Sequence, residues 1–86
     1  MNPDNLIRMA NQIGVFFESM PDRTEALEGF ATHLKKFWDP RMRRAFLALA
    51  EDAASQQKLN TIVLAAVREH RALMAYANRR RQSAGP

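Results

Sequence analysis

The Asp39-Pro40 pair near the middle of the 86-residue chain sets the frame for everything around it. A proline cannot continue an α-helix, and it pushes the residue before it out of the helical region. The same proline suits the first position of a helix, where its missing N–H would have no partner, and an aspartate just ahead of it can cap that helix through its carboxylate. The sequence therefore ends one helix at about Phe37 or Trp38 and starts another at once. The pair lies within His33-Leu34-Lys35-Lys36-Phe37-Trp38-Asp39-Pro40-Arg41-Met42-Arg43-Arg44, which holds the only tryptophan and a dense run of positive charge.

On both sides of this corner the apolar residues recur with a helical period. The first helix starts after Asn2, with Pro3 at the first helical position and Asp4 near the positive end of the helix dipole. Leu6, Met9, Ala10, Ile13, Phe16, Phe17 and Met20 follow at spacings of three and four, while Arg8, Asn11, Gln12 and Glu18 take the opposite face, and Pro21 ends the helix. Asp22 followed by Glu25 resembles a capping box and starts the second helix, whose apolar positions are Ala26, Leu27, Phe30, Ala31, Leu34, Phe37 and Trp38. Gly29 inside it costs about 1 kcal/mol relative to alanine on an exposed face, unless it lets a neighbouring helix come close.

The third helix is expected over residues 40–54, with Met42, Phe46, Leu49, Ala50 and Ala53 as its buried stripe. Ser55-Gln56-Gln57-Lys58 reads as a polar connection, and Asn60 as the cap of a fourth helix that buries Ile62, Val63, Ala66, Val67, His70, Leu73, Met74 and Ala77. The hydrophobic period is lost after Asn78. The expected fold is all-α, a compact bundle of three to four helices: residues 1–78 form a single domain, and residues 79–86 a flexible basic tail.

Composition agrees with helix over sheet, because glycine and proline total only 7 residues and Ala, Leu and Met outnumber Val, Ile and Thr. A chain this short buries only about 60% of the surface its unfolded form exposes, so its core is thin. With no cysteine there is no disulfide, no thiolate metal site and no cysteine nucleophile. The N-terminus lacks a secretory pattern and no window reads as a membrane span, so the expectation is a soluble, unprocessed protein, and the lack of cysteine permits a reducing cytoplasm.

Charge is unevenly placed. Residues 1–39 carry a net −2 and residues 40–86 a net +6, which points the second half toward an acidic partner, a nucleic acid or an anionic surface. Arg41, Arg43 and Arg44 crowd the start of the third helix, where the dipole is already positive, an arrangement that is locally unfavourable and therefore a candidate for an external role. A guanidinium cluster suits carboxylates on a protein partner through paired hydrogen bonds. It also permits a helix-turn-helix reading, supported by Arg79 to Arg81, but the turn has no glycine and Phe37-Trp38 at the corner would need burial.

The remaining side chains offer little chemistry. His33 and His70 are the only histidines and lack carboxylates at recognised ligand spacing, and Glu69-His70 has no nucleophile elbow or phosphate loop beside it. The phenylalanines fall where a small bundle places its bulky core. Trp38 is either a core corner or a partner contact, since tryptophan is enriched at interface hot spots.

Leu6-Ile7-Arg8-Met9-Ala10-Asn11-Gln12-Ile13 followed by Phe16-Phe17, together with the stretch from His33 to Arg43, resembles the small delta subunit of cytoplasmic NAD-dependent, molybdenum-containing formate dehydrogenases. The resemblance covers residues 5–50 most closely and is looser beyond Leu59. It implies a non-catalytic accessory subunit that docks on the catalytic alpha subunit and supports its assembly, cofactor loading or stability. In such a complex the alpha subunit carries bis-molybdopterin guanine dinucleotide and iron-sulfur clusters, and the beta and gamma subunits carry FMN, further clusters and the NAD site; this chain binds none of them. The candidate partner-binding residues are Trp38, Arg41, Arg43 and Arg44, with Asn11 and Gln12 as polar contacts from the first helix. The alternatives are a small helical nucleic-acid-binding module and, with less in the residues to support it, an independent small enzyme.

Overall fold

The computed structural model describes the backbone of residues 2–84 and the side chains of residues 2–75. Its helices are α1 (Pro3–Glu18), α2 (Arg23–Phe37), α3 (Pro40–Glu51), the single turn α4 (Ala53–Gln56) and α5 (Thr61–Ala84), and no strand occurs among the described residues. The fold is all-α, as the periodicity requires.

Four helices start on a side-chain cap that satisfies an otherwise orphaned N–H. Asn2 Oδ1 accepts from Asp4 N at 2.8 Å, Asp22 Oδ1 from Glu25 N at 3.2 Å, and Asp39 Oδ1 from Met42 N at 2.8 Å. The fourth cap lies inside the expected third helix. Asp52 adopts an extended backbone and its Oδ2 accepts from Ser55 N at 3.0 Å, so α3 stops at Glu51 and the connection contains the separate turn α4. The Gln56 amide donates back to Ala50 O at 2.8 Å, covering a carbonyl at the end of α3. α1 likewise ends before Pro21, at Glu18, where the Ser19 hydroxyl donates to Phe16 O at 2.7 Å.

The core joins Leu6, Ile7 and Ala10 of α1, Leu27, Phe30 and Leu34 of α2, Phe46 and Leu47 of α3, and Ile62, Val63, Ala66 and Met74 of α5. α2 against α5 is the most extensive pairing. The molecule is only 18 Å across in its thinnest direction, about two helix diameters, so each helix can hide one narrow face. α5 is not a straight rod: His70 takes non-helical backbone angles (φ −127°, ψ 28°) and kinks it.

Two glycines mark close approaches. A Cβ on Gly14 would lie 2.8 Å from a Val63 methyl and 3.2 Å from an Ile62 methyl, and both residues are fully buried. A Cβ on Gly29 would meet the Phe17 ring at 2.6 Å, so the glycine in α2 is the seat for an aromatic ring of α1. Gly14→Ala therefore puts a methyl into a crossing whose β-branched neighbours cannot turn away. The overpacking cost of about 1–3 kcal/mol exceeds the roughly 1 kcal/mol gained in helix propensity, and chemical denaturation should show a net loss. An unchanged or raised midpoint would mean that the α1–α5 crossing is looser than this geometry.

Several expectations need correction. The buried stripe of α3 is Arg43, Phe46, Leu47 and Ala50; Met42 and Leu49 are half-buried and Ala53 is exposed. Phe16 and Phe37, expected in the core, are 66% and 71% exposed. The physical reason is that each neighbours another large aromatic, and consecutive helical residues point about 100° apart. Phe17 seats on Gly29 and Trp38 turns into the core, which leaves Phe16 and Phe37 outside. The expected flexible tail, residues 79–86, lies outside the residues whose side chains are described, as does Ala77 of the expected apolar face.

Candidate functional site

The exposed aromatic residues form a connected surface. Phe16 and Phe17 meet edge to face at 5.0 Å between ring centroids, Phe17 stands 6.1 Å from the His33 ring, and His33 lies 4.8 Å from Phe37. Between them is a shallow cleft of about 470 Å³ lined by Gln12, Ile13, Phe16, Phe17 and His33. Phe17 also touches the core ring of Phe30 at 6.5 Å, so the floor of the cleft is anchored even though its rim is open. Exposed apolar groups gathered in one place mark interaction sites on soluble proteins far more often than scattered ones do.

A second, polar cleft of about 420 Å³ lies at the corner after α2, lined by Asp39, Pro40, Arg41 and Arg44. Arg41 and Arg44 are exposed. Lys36, just before the corner, is exposed as well. Among the described residues the ion pairs are Lys58–Asp4 and Arg71–Glu51, so none of these three cations is paired. The one carboxylate in the cleft, on Asp39, accepts the cap bond of α3 through its Oδ1.

The residues proposed from the sequence for partner binding divide into two groups. Gln12, Arg41 and Arg44 are exposed, the first beside the aromatic cleft and the others in the polar one. Trp38, Arg43 and Asn11 face inward or bind within the chain. The Trp38 indole is 5% exposed and meets Phe46 edge to face at 5.7 Å, which makes it the core corner of its two readings. Arg43 is 4% exposed and its Nη1 donates to Met74 O at 3.0 Å, tying α3 to α5 beyond the kink. Burial lowers the pKa of Arg43 and the nearby Asp39 carboxylate opposes that shift; the guanidinium remains charged at neutral pH.

Asn11 holds the entry to α5. Its Nδ2 donates to Lys58 O at 2.8 Å, its Oδ1 accepts from Asn60 N at 2.8 Å, and the Asn60 amide donates back to Asn11 O at 3.3 Å. Asn60 was expected to cap α5 with its side chain; that side chain reaches α1 instead. Asn11→Ala removes two of the three bonds and leaves loop groups without their partners, so it should lower stability by about 1–3 kcal/mol. Gln12→Ala, one position along and exposed, should leave the denaturation midpoint within about 0.5 kcal/mol of wild type. Equal effects at the two positions would contradict this division.

Sequence reasoning missed Phe16 and Phe37 as surface groups because it placed the phenylalanines in the core. The signal was present in the adjacent pairs Phe16-Phe17 and Phe37-Trp38, which a thin bundle cannot bury together. No group of three or more metal-ligating side chains is gathered among the described residues, and no helix there is long and apolar enough to cross a membrane.

Searches of curated proteins and of solved structures gave no match. A scan against protein families matched residues 5–67, which include most of α1, all of α2 to α4 and the first part of α5, to the family described as "NADH-dependant formate dehydrogenase delta subunit FdsD". The matched segment contains both the Met9 to Ile13 stretch and the Phe37 to Arg43 corner on which the sequence resemblance rested. The chain therefore belongs to the formate dehydrogenase delta subunit family.

Proposed function

We propose that this chain is a non-catalytic accessory subunit that docks on the catalytic alpha subunit of a formate dehydrogenase and stabilises the form of that subunit competent to receive its molybdenum cofactor. The supporting observation is the exposed aromatic surface of α1 and α2, with Phe16 open to solvent at the cleft and Phe37, also open to solvent, packed against the His33 ring that lines it. A subunit acts in this way without chemistry of its own. By binding the closed, cofactor-competent conformation more tightly than the open one, it shifts the population toward the former, by an amount set only by the difference in affinity. Bis-molybdopterin guanine dinucleotide, the iron-sulfur clusters and FMN then belong to the other subunits, and the assembly is cytoplasmic.

The test is expression of the alpha, beta and gamma subunits with and without this chain. Lower alpha-subunit yield, molybdenum content and formate-dependent NAD reduction are expected when it is absent. Equal values on all three measures would remove the assembly role. The nucleic-acid reading has less support than the sequence suggested, because Arg43 points into the protein and contributes nothing to a basic outer face.

A further inference from the structure

Phe37, whose ring packs on the cleft-lining His33, and the cationic corner lie close together along the chain. Phe37 closes the last turn of α2 and Arg41 stands in the first turn of α3. Four residues of fully extended chain span at most about 14 Å, and both side chains project into solvent from that short segment. On the α2 side, Lys36 is one position before Phe37 and one helical turn after His33, so a cation also flanks the apolar rim directly. On α1, Glu18 lies on the side of the helix away from the Gln12, Ile13 and Phe16 face.

We infer that the cleft and the corner form one docking face, and that its occupant is a segment of the partner subunit that presents a large apolar side chain followed closely by carboxylates. This rests on the accessory-subunit reading and gives that reading a surface and a chemistry. The apolar side chain seats between Phe16 and His33, where the aromatic walls and a volume of about 470 Å³ suit an anchor residue. The carboxylates meet Arg41 and Arg44, whose guanidiniums have no carboxylate partner among the described residues and can bind an acidic group through two parallel hydrogen bonds. Charge complementarity selects an acidic segment over a basic or neutral one, because Lys36, Arg41 and Arg44 against the single carboxylate of Asp39 leave the face net positive, which repels the former and gains nothing from the latter.

The two halves of the face should have different kinetic signatures. Rim charges act mainly on the rate of encounter and its salt dependence, whereas a buried apolar anchor acts on the rate of escape. The experiment measures association and dissociation of this chain with the complex of the other formate dehydrogenase subunits expressed without it, at low and high salt. The variants are Phe16→Ser/Phe37→Ser and Arg41→Gln/Arg44→Gln, with Arg68→Gln as a distant exposed control. All replaced side chains are exposed, so unchanged circular dichroism and unfolding midpoint verify that each variant folds.

The aromatic pair variant should dissociate roughly 30-fold faster, with the salt dependence of association retained. The arginine pair variant should associate more slowly at low salt and lose most of its salt dependence, and the control should match wild type. Wild-type kinetics in both pair variants would overturn the proposed face while leaving the accessory role standing. Loss of binding in the aromatic variant with an undiminished salt dependence in the arginine variant would overturn the acidic partner segment. Sedimentation of the isolated chain as a dimer that only the aromatic variant dissociates, with complex formation unaffected, would assign the cleft to self-association. If wild type itself does not bind the complex, the accessory reading fails with it.

Discussion

Replacing Trp38 by alanine should lower the stability of the chain by about 3–5 kcal/mol, the range for truncating a buried large aromatic. The indole is almost completely buried and meets Phe46 edge to face, and Phe46 in turn contacts Phe30, so the ring closes one end of an aromatic row through the core. Its backbone carries a second load: Trp38 N donates to Leu34 O at 3.0 Å as the last bond of α2, and its extended conformation lets Asp39 begin the cap of α3. The side-chain deletion leaves these backbone bonds possible but removes the packing that fixes the angle between the two helices. A domain of this size has on the order of 5–15 kcal/mol of total stability, and the thin core places this one toward the lower end. The variant should therefore be partly unfolded at 37 °C. Urea denaturation followed by circular dichroism at 222 nm measures the loss without relying on the deleted fluorophore, and Trp38→Phe should recover much of it. A loss below about 1 kcal/mol would mean that the indole is not a core group.

The helices were legible in the sequence because their boundaries are local chemistry. Asn2, Asp22 and Asp39 cap the helices they precede in the chain, and Pro3 and Pro40 occupy the first helical positions. Asp52 was less visible, since no proline follows it and the apolar period runs past it to Ala53. Which face turns inward is a different kind of question. It depends on what the other helices offer, and here periodicity failed at the adjacent aromatic pairs and at Arg43. A stripe drawn through Met42 and Leu49 is only half-buried, because α3 is rotated to bring Phe46 and Leu47 into the core. That rotation carries Arg43 inward, where a charged side chain is tolerated only if a partner waits. The partner is a backbone carbonyl of α5, 31 residues away, which no local pattern specifies. The site was legible in the same measure: the corner was found, but its outward group is Phe37 with Arg41 and Arg44, and its inward group is Trp38 with Arg43.

Arg43 supplies the other large effect, and its sign is set by two opposing terms. Taking a guanidinium out of water is costly, and its Nε finds no hydrogen-bond partner among the described residues. Against this, Nη1 donates a charge-assisted bond to Met74 O, and the aliphatic stem fills space between α3 and α5. Arg43→Ala loses the bond and leaves a void, so stability should fall by at least the ~1.5–3 kcal/mol typical of a hydrogen bond to a charged group. Arg43→Met keeps most of the volume and removes the desolvated charge but loses the charge-assisted bond to Met74 O, so it should fall between wild type and alanine. A methionine variant more stable than wild type would mean that the desolvation of the charge outweighs the bond. The same substitutions separate structure from docking. Because Arg43 does not reach the surface, Arg43→Met should leave the salt dependence of complex formation unchanged, whereas Arg41→Gln/Arg44→Gln should reduce it at unchanged stability. If Arg43→Met instead weakened the salt dependence as much as the Arg41/Arg44 pair, the inward guanidinium would have to turn outward in the complex, and the α3–α5 tie would open on docking.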